Sequence, residues 1–362
     1  MHPTEKIRPE GLSPHTAPER QPAPQESLFV GVDGGGTKTE LLLCRQDGQI
    51  LARCRTAGCN PNDMGLEPAF AVLEAGIRRL LELGGAEERA VVSLFAGLSG
   101  GSTGDLQPRI ARLLRRSFPR MGRLENGSDA VNILTAGLGP EEGCAVICGT
   151  GSACFVRVEG AVHRIGGWGY LLDRYGSGYD IGRDAVIAAL RQQDGRGAAT
   201  LLTPLLEEAL GRPVPQAVSA LYEGGKRLLA SFAPLVFRAE KEGDRVAGEI
   251  LDRNMEELAG LINAAGRLFG PSPVLRSGEG TAPAPLPGDG GEGPALRPFP
   301  AVLAGGIFAN GRPVTGRLAR FLTVPARLRP LEVPPVWGAV YQAFVQLGFP
   351  LPQRLWDPSE RP

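Results

Sequence analysis

A pattern of three strands with a glycine- and threonine-rich loop occurs twice in the chain. In the first copy, the apolar run SLFVGV is followed by DGGGTKT and then by ELLLCR. In the second copy, CAVIC is followed by GTGS and then by ACFVRV. A short turn and a third run, ILARCR or VHRIG, complete each copy. The repeat predicts two similar three-stranded antiparallel meanders, each with a loop between its first two strands.

Helix and strand signals alternate after the first meander. AFAVLEAGIRRLLEL and QPRIARLLRRSF have the spacing of amphipathic helices, and AVVSLFAG and GRLENGSD read as a strand and a strand end. From Val246 to Leu268, apolar residues again recur with the 3.6-residue period of a helix. A chain of 362 residues is long enough for two domains with a sizeable core. We therefore predict an α/β protein with two similar domains that face each other.

Composition and net charge limit the classes of binding partner that the sequence indicates. Lys+Arg and Asp+Glu both number 39, so net charge favours neither nucleic acid nor a membrane surface. No apolar run approaches the ~20 residues that a membrane span needs. Residues 1–26 are polar and Pro-rich without an apolar signal core, so we expect a disordered tail and a cytoplasmic protein. Residues 271–300 are dense in Pro and Gly, and we interpret them as a flexible insert between a helix and a strand.

The two loops raise the question of a phosphate site. A phosphate needs close backbone amides, which favour Gly, together with hydroxyl donors. One such loop is explained equally well as a hairpin turn, but two at equivalent places could close on one triphosphate. The Walker A pattern is absent. The candidate phosphate-binding residues are Gly34, Gly35, Gly36, Thr37, Lys38, Thr39, Gly149, Thr150, Gly151 and Ser152.

Asp33 ends the first strand immediately before the glycines. A carboxylate at this point can hold Mg²⁺, directly or through water, as phosphoryl transfer requires. The alternative is an aspartate that only caps the turn. We predict Mg²⁺ with ATP as the cofactor and Asp33 as its protein ligand.

These motifs give the chain a family resemblance. GVDGGGTKTE and ICGTGS resemble the two phosphate motifs of the actin/Hsp70/sugar kinase superfamily, and more narrowly of the BadF/BadG/BcrA/BcrD-type ATPase family, which includes N-acetylglucosamine kinases. VLAGGIFAN resembles the adenosine motif, and PPVWGAVYQA resembles the final helix of the family. The resemblance implies two RNase H-like (actin-like ATPase) domains with a nucleotide cleft between them. It implies adenosine contacts by Gly305, Gly306 and Asn310.

The resemblance also sets domain boundaries. We expect an N-terminal actin-like domain over 27–141 and a C-terminal one over 142–334. A helix over 335–348 is expected to return to the N-terminal domain. By analogy with related kinases, the chain is expected to form a homodimer.

On the acceptor side, Asp129 in ENGSDAVNILTAG matches the aspartate that is the catalytic base in the family. It could instead be only a helix N-cap. The resemblance implies that AGCNPNDMG, AGLSGG and GGWG line the sugar pocket, although ordinary turn chemistry would explain each of them. The matching residues are Asn60, Ser99, Gly100, Gly166, Gly167 and Trp168.

The chain departs from the family after GGWG. Family sugar kinases usually continue with a Gly-Asp-Glu-Gly-Ser run whose Asp helps to bind the sugar. Here Asp173 falls on the Gly position and Arg174 on the Asp position. An arginine cannot accept hydrogen bonds from sugar hydroxyls and favours an anionic group. Either Asp173 takes over by a small loop shift, or Arg174 binds an acceptor with a carboxylate or phosphate, such as an N-acetylmuramic acid-like sugar.

We expect an ATP-dependent kinase that phosphorylates the primary hydroxyl of an amino sugar such as N-acetylglucosamine. One alternative is an ATPase that activates a radical dehydratase; Cys148 and Cys154 lie near the second loop, but the cluster-cysteine motifs of such activators are not evident. A second is a non-catalytic nucleotide or sugar sensor. A third is a serine hydrolase, because GLSGG fits G-x-S-x-G and Ser99, Asp129 and His163 follow in hydrolase order.

Overall fold

The computed structural model describes residues 27–174, 176–270, 296–310 and 312–352. The predictions made for residues 1–26 and for most of the 271–300 insert fall outside these ranges. Along the described part of the chain, no helix is both long and apolar enough to cross a bilayer.

The first half forms a five-stranded mixed sheet with helices packed against it. Its strands are β1 (Leu28–Gly34), β2 (Lys38–Arg45), β3 (Ile50–Ala57), β4 (Val91–Leu98) and β5 (Arg123–Ser128). Its helices are α1 (Pro61–Met64), α2 (Leu66–Gly84), α3 (Leu106–Ser117) and α4 (Asp129–Leu138). The strand order is β3-β2-β1-β4-β5, with β1 to β3 antiparallel and β4 and β5 parallel to β1.

The second half repeats this plan. Its strands are β6 (Gly143–Cys148), β7 (Ser152–Val158), β8 (Ala161–Ile165), β9 (Phe299–Ala304) and β10 (Ala326–Pro330). Its helices are α5 (Gly178–Gln193), α6 (Leu202–Leu210), α7 (Val218–Ser231), α8 (Ala233–Lys241), α9 (Arg245–Gly266) and α10 (Arg312–Ala319). The order is β10-β9-β6-β7-β8. As in the first sheet, the first strand of a meander, here β6, pairs with a parallel strand that is followed by a second one. The predicted pair of similar α/β meander domains is confirmed.

The elements form where the apolar residues are placed. β1 is buried along almost its whole length because it lies in the middle of the sheet and is covered on both faces. On α2, a stripe of buried apolar side chains from Leu66 to Leu80 packs into the core of the first half. On α9, a similar stripe packs into the larger core of the second half.

The last helix, α11 (Pro335–Val345), returns to the first sheet. Phe344 stacks on Phe29 of β1 with ring centres 3.8 Å apart. Gly31 and Gly338 allow this close approach: a Cβ on Gly338 would overlap the carbonyl oxygen of Asn132 in α4. α11 therefore holds β1 and α4 together, and these two elements carry the site described next.

Candidate active site

The loop between β1 and β2 is a tight turn whose tip is open to solvent. The Gly35 amide donates to the Lys38 carbonyl at 2.9 Å and closes the turn, while Gly36 and Thr37 are exposed. A Cβ on Gly58 would overlap the Gly36 carbonyl oxygen, so the segment after β3 runs directly against the loop. Gly36 and Thr37 are the part of DGGGTKT that can offer amides and a hydroxyl to a phosphate.

Three other residues of the motif are engaged within the fold. Gly34 is buried in the sheet. The Lys38 ammonium lies 2.5 Å from the Glu40 carboxylate. Thr39 is fully buried, and its hydroxyl donates to the Ala57 carbonyl at 2.8 Å. The phosphate prediction for this loop therefore depends mainly on the tip.

The Asp33 carboxylate stands beside the first loop and is held by Asn132 of α4. Asn132 Nδ2 donates to Asp33 Oδ1 at 2.8 Å and also lies 3.2 Å from the Val32 carbonyl oxygen. Burial raises the pKa of Asp33 to about 6; the Asn132 hydrogen bond opposes this rise, and the charge of Asp129 adds to it. A half-buried carboxylate with a raised pKa gains from a nearby cation, which favours its ionised form.

A magnesium ion fits this arrangement. Among the described residues, no three or more His, Cys, Asp or Glu side chains cluster as a metal site. Mg²⁺ is commonly bound through one or two carboxylates, with waters and substrate phosphates as its other ligands. Asp33 is the residue that would hold it.

The second loop is fixed against the N-terminus of α5. Within the loop, the Gly149 amide donates to the Gly151 carbonyl at 2.9 Å. From α5, the Gly178 amide donates to the Gly149 carbonyl at 2.8 Å, and the Tyr179 amide to the Thr150 carbonyl at 3.4 Å. The space beside Gly149 is open, since a Cβ there would meet nothing within 4 Å. The loop is thus rigid on its α5 side and accessible on the other.

Lys226 brings a positive charge to this loop, although no motif in the sequence singles it out. Gly225 interrupts α7 with φ 53° and ψ −145°, immediately before Lys226. The ammonium nitrogen lies 3.5 Å from the position that a Cβ on Gly151 would occupy and 5.4 Å from the ring centre of Tyr170. Lys226 is far from the loop in sequence, and only the glycine pair before it hints at a break in the helix.

Asp129 is the first residue of α4, but Ser128 is the N-cap. Ser128 Oγ accepts a hydrogen bond from the Ala130 amide at 3.2 Å. The capping role that was the alternative explanation for Asp129 is therefore performed by Ser128. Burial raises the pKa of Asp129, while hydrogen bonds from Ser128, Ser99 and backbone amides oppose the rise. A carboxylate with a raised pKa is a stronger proton acceptor than an ordinary one.

Asp129 opens into a cavity of about 550 Å³ that both halves of the molecule line. The first half contributes Ser99 and Gly100 beside Asp129. The second half contributes Gly151 and Ser152 of the second loop. The cavity brings together the predicted base, two predicted acceptor residues and one predicted phosphate loop.

Asn60 does not itself line this cavity, but it contacts Gly100, which does. Its Oδ1 accepts the Asn62 amide at 2.9 Å and caps α1. A Cβ on Gly100 would overlap Asn60 Oδ1, so the two predicted acceptor residues are in direct contact. Asn62 itself lines the cavity and donates to the Thr103 hydroxyl at 3.2 Å. The structure thus adds Asn62 to the acceptor candidates.

The GGWG loop is shaped by two charged side chains. Asp173 Oδ2 accepts the amides of Gly167 and Trp168, the latter at 3.2 Å. Arg164 Nε donates to the Gly166 carbonyl at 2.9 Å, Nη2 donates to the Gly167 carbonyl, and the guanidinium lies 4.9 Å from the Trp168 ring centre. Asp173 is therefore occupied in forming the loop. Arg164, which no motif in the sequence singles out, lines the cavity of Asp129.

Arg174 lies elsewhere. The amides of Leu172 and Asp173 both donate to the Gly169 carbonyl, at 3.0 and 2.8 Å, and this turn redirects the chain. Arg174 lines a separate cavity of about 460 Å³, together with Arg191 and several other arginines. The prediction that Arg174 contacts the acceptor has no support in this arrangement.

The adenosine motif packs beside the second loop. Gly305 has φ 104°, and a Cβ on it would overlap the Cys148 carbonyl oxygen at the end of β6. Gly306 begins the short 3₁₀ helix Gly306–Asn310 and has open space around it. The side chain of Asn310 lies outside what the structure describes. A nucleotide whose base lay here would have its phosphates near Gly149 to Gly151.

The structure bears on two of the alternatives. All six cysteines are buried and unpaired, and Cys148 and Cys154 are fully enclosed, which does not suit a cluster shared across a subunit interface. His163 lies on β8 and does not line the cavity of Asp129, whereas Ser99 hydrogen-bonds to Asp129 directly. The hydrolase arrangement, with a histidine between the serine and the aspartate, is not formed.

Comparison with known families gives one match that covers most of the chain. The model of the BadF/BadG/BcrA/BcrD ATPase family matches residues 30–279. The matched segment contains both glycine loops, Asp33, Asp129 and the GGWG loop.

Two curated proteins are similar in sequence. One is an N-acetylmuramic acid/N-acetylglucosamine kinase from Clostridium acetobutylicum, 33% identical over 63% of this chain and 76% of that protein. The other is an N-acetyl-D-glucosamine kinase from Dictyostelium discoideum, 33% identical over 68% of this chain and 81% of that protein.

A solved structure supports the fold. It is a Chromobacterium violaceum protein provisionally named an N-acetylglucosamine kinase, with a TM-score of 0.63, 22% identity, and coverage of 87% of this chain and 98% of that one. The likeness confirms the predicted two-domain, actin-like α/β class.

Proposed function

This chain belongs to the BadF/BadG/BcrA/BcrD ATPase family, and we propose that it transfers the γ-phosphoryl group of ATP to the primary hydroxyl of an amino sugar. Its similarity to curated sugar kinases places it among the ATP-dependent carbohydrate kinases. The observation that carries the proposal is the position of Asp129, a carboxylate with a raised pKa in a cavity that also contains the second glycine loop.

ATP is proposed to lie between the two loops. The exposed amides of Gly36 and Thr37 would face its phosphates from the first half, and the open side of Gly149 to Gly151 would face them from the second. Lys226 would neutralise part of the phosphate charge, since a lysine ammonium is a compact point charge suited to this task. The base and ribose would extend toward Gly305 and Gly306.

The acceptor is proposed to occupy the cavity between Asp129 and the GGWG loop. Asp129 would accept the proton of the attacking hydroxyl while the phosphoryl group moves in line. Ser99 and Ser128 orient the carboxylate by their hydrogen bonds, and Asn62 and Gly100 offer further polar contacts. N-acetylglucosamine is the first acceptor that we propose.

Asp33 would hold Mg²⁺ beside the first loop. A bound Mg²⁺ would neutralise charge that develops on the transferred phosphate. Asn132 fixes the Asp33 side chain by its hydrogen bond, so the carboxylate does not need to reorganise when the cation binds.

A coupled ADP-release assay tests the proposal. Purified protein with Mg-ATP would be given N-acetylglucosamine, glucosamine, N-acetylmuramic acid, glucose or no sugar. We expect ADP release that depends on an amino sugar, that falls at least about 100-fold in Asp129→Asn, and that persists in Asp194→Asn, a matched change at an exposed position. ADP release that ignores the sugar, or an Asp129→Asn variant with full activity, would reject the proposal.

A further inference from the structure

We propose that Arg164 binds the carboxylate of amino-sugar acceptors that carry one, so that the cavity accepts N-acetylmuramic acid-like sugars as well as N-acetylglucosamine. The inference rests on the proposed kinase function and goes beyond it, because it assigns a substrate class to one residue. Asp129 and Arg164 are the only charged side chains that line the described cavity. Asp129 faces the reacting hydroxyl in the proposed mechanism, which leaves Arg164 as the group that would recognise a negative charge on the acceptor.

The guanidinium of Arg164 is already held in place. Its Nε–H donates to the Gly166 carbonyl oxygen, and one Nη2 hydrogen donates to the Gly167 carbonyl oxygen. The planar face of the guanidinium lies over the Trp168 ring. The opposite edge, formed by Nη1 and the second Nη2 hydrogen, has the fork geometry that binds a carboxylate with two parallel hydrogen bonds. Among the residues that the structure describes, Arg164 forms no ion pair with a carboxylate that would compete for this edge.

The neighbours of Arg164 suit an acceptor substituent better than a phosphate of ATP. Arg164 is bonded to the GGWG loop, which the proposal places over the sugar, whereas Lys226 is the cation that lies against the second phosphate loop. The cavity beside Arg164 is lined by Ala153 and Phe155, so it offers a small and apolar wall to the carbon atoms of a substituent. Arg174 lines the other cavity and is not available for this contact.

The test compares two acceptors that differ only in charge: N-acetylmuramic acid and its methyl ester. kcat/KM would be measured for both with wild type, Arg164→Gln, Arg164→Lys and Arg174→Gln. We expect wild type to prefer the acid, and we expect Arg164→Gln to lower the ratio of acid to ester by about 10- to 100-fold, mainly through KM. Arg164→Lys should have an acid-to-ester ratio between those of wild type and Arg164→Gln, because lysine keeps the positive charge but cannot form two parallel hydrogen bonds to a carboxylate. Arg174→Gln should keep the wild-type ratio.

The remaining outcomes separate this inference from the kinase function. Equal losses on acid and ester in Arg164→Gln would overturn it, because that pattern fits a loop or phosphate role. A ratio that falls in Arg174→Gln instead would also overturn it. If the protein phosphorylates N-acetylglucosamine but not N-acetylmuramic acid, the proposed kinase function stands and the role of Arg164 is rejected. If calorimetry shows that N-acetylmuramic acid binds and that Arg164→Gln weakens this binding, but no phosphoryl group is transferred, the role of Arg164 in recognition stands and the proposed kinase function is rejected.

Discussion

At the scale of single residues, the site depends on carboxylates whose charge is disfavoured by burial. Asp33 and Asp129 both have raised pKa values, and each is oriented by hydrogen bonds from α4 or from the adjoining loops. Burial makes Asp129 a better proton acceptor and makes Asp33 responsive to a cation. Their chemistry is therefore set by where the fold places them as much as by their side chains.

The pH dependence of catalysis should report the hydrogen bond between Ser99 and Asp129. That bond lowers the Asp129 pKa against the larger effect of burial, so its removal in Ser99→Ala should raise the pKa further. A base must be unprotonated, so the acidic limb of log kcat/KM should move to higher pH in this variant. Ser102→Ala, in the same cavity, is the control and should keep the wild-type limb. An unchanged limb in Ser99→Ala would contradict the assignment of Asp129 as base.

Asp33→Asn should raise the stability of the metal-free protein and lower its activity. The folded pKa of Asp33, about 6, lies above its unfolded value, so the ionised carboxylate destabilises the metal-free fold above that pH. Without Mg²⁺ at pH 8, the variant should be more stable than wild type by about 1–3 kcal/mol, and this gap should narrow as the pH falls through 6. Denaturant unfolding measures the gap, and ADP release should be nearly abolished. A variant less stable than wild type at pH 8 would contradict the account.

Lys226 should act on ATP rather than on the sugar. Because its ammonium lies against the second glycine loop, Lys226→Met should raise the KM for ATP by about tenfold, with a smaller effect on the KM for the sugar. Lys241→Met, at the exposed end of α8, is the matched control. Steady-state kinetics with each substrate varied in turn checks the result. An effect confined to the KM for the sugar would contradict the proposal that Lys226 binds ATP.

At the scale of elements, α4 and α11 form the support of the site. α4 carries both Asp129 and Asn132, and α11 packs so closely on it that Gly338 has no room for a side chain. The Gln342 side chain donates to the Thr135 hydroxyl of α4 at 2.7 Å and adds a polar contact. The position of the proposed base, Asp129, is therefore coupled to the last helix of the described chain.

Gly338→Ala tests this coupling. The new methyl group would overlap the Asn132 carbonyl oxygen, so α4 or α11 must shift, and we expect a loss of about 1–3 kcal/mol in the free energy of unfolding. Gly260→Ala is the control, because Gly260 lies within α9 with open space around it and should gain up to about 1 kcal/mol. Denaturant unfolding of both variants gives the comparison. Equal stabilities would show that α11 does not pack as described.

The elements were predictable because their signals are local. The strands on either side of each glycine loop and the stripe on α9 follow from short-range patterns of apolar residues, and the structure confirms them. An ungapped register aligns Arg174 with the family aspartate, but the turn at Gly169 redirects the chain just before it, and Arg174 lines a separate cavity. Lys226 and Arg164 depend on long-range packing and on an edge strand, for which the sequence carries no comparable signal.

At the scale of the whole molecule, two copies of one topology are joined, and both halves line the cavity of Asp129, to which the second half contributes its glycine loop. The equivalence of the strand orders explains why both glycine loops follow the first strand of a meander. Residues 27–141 and 142–334 remain our proposal for the domain boundaries. Movement of one half toward the other would exclude water from Asp129, which would favour transfer to the sugar over hydrolysis of ATP.

The position of the new phosphate ester is the measurement that would decide between the proposed reaction and its alternatives. The product of Mg-ATP and N-acetylglucosamine would be examined by two-dimensional correlation of phosphorus and proton NMR signals. We expect a phosphorus nucleus coupled to the two protons of the primary carbon, and no such product from Asp129→Asn. Coupling to the anomeric proton, or inorganic phosphate as the only new species, would contradict the claim that Asp129 directs phosphoryl transfer to the primary hydroxyl of an amino sugar.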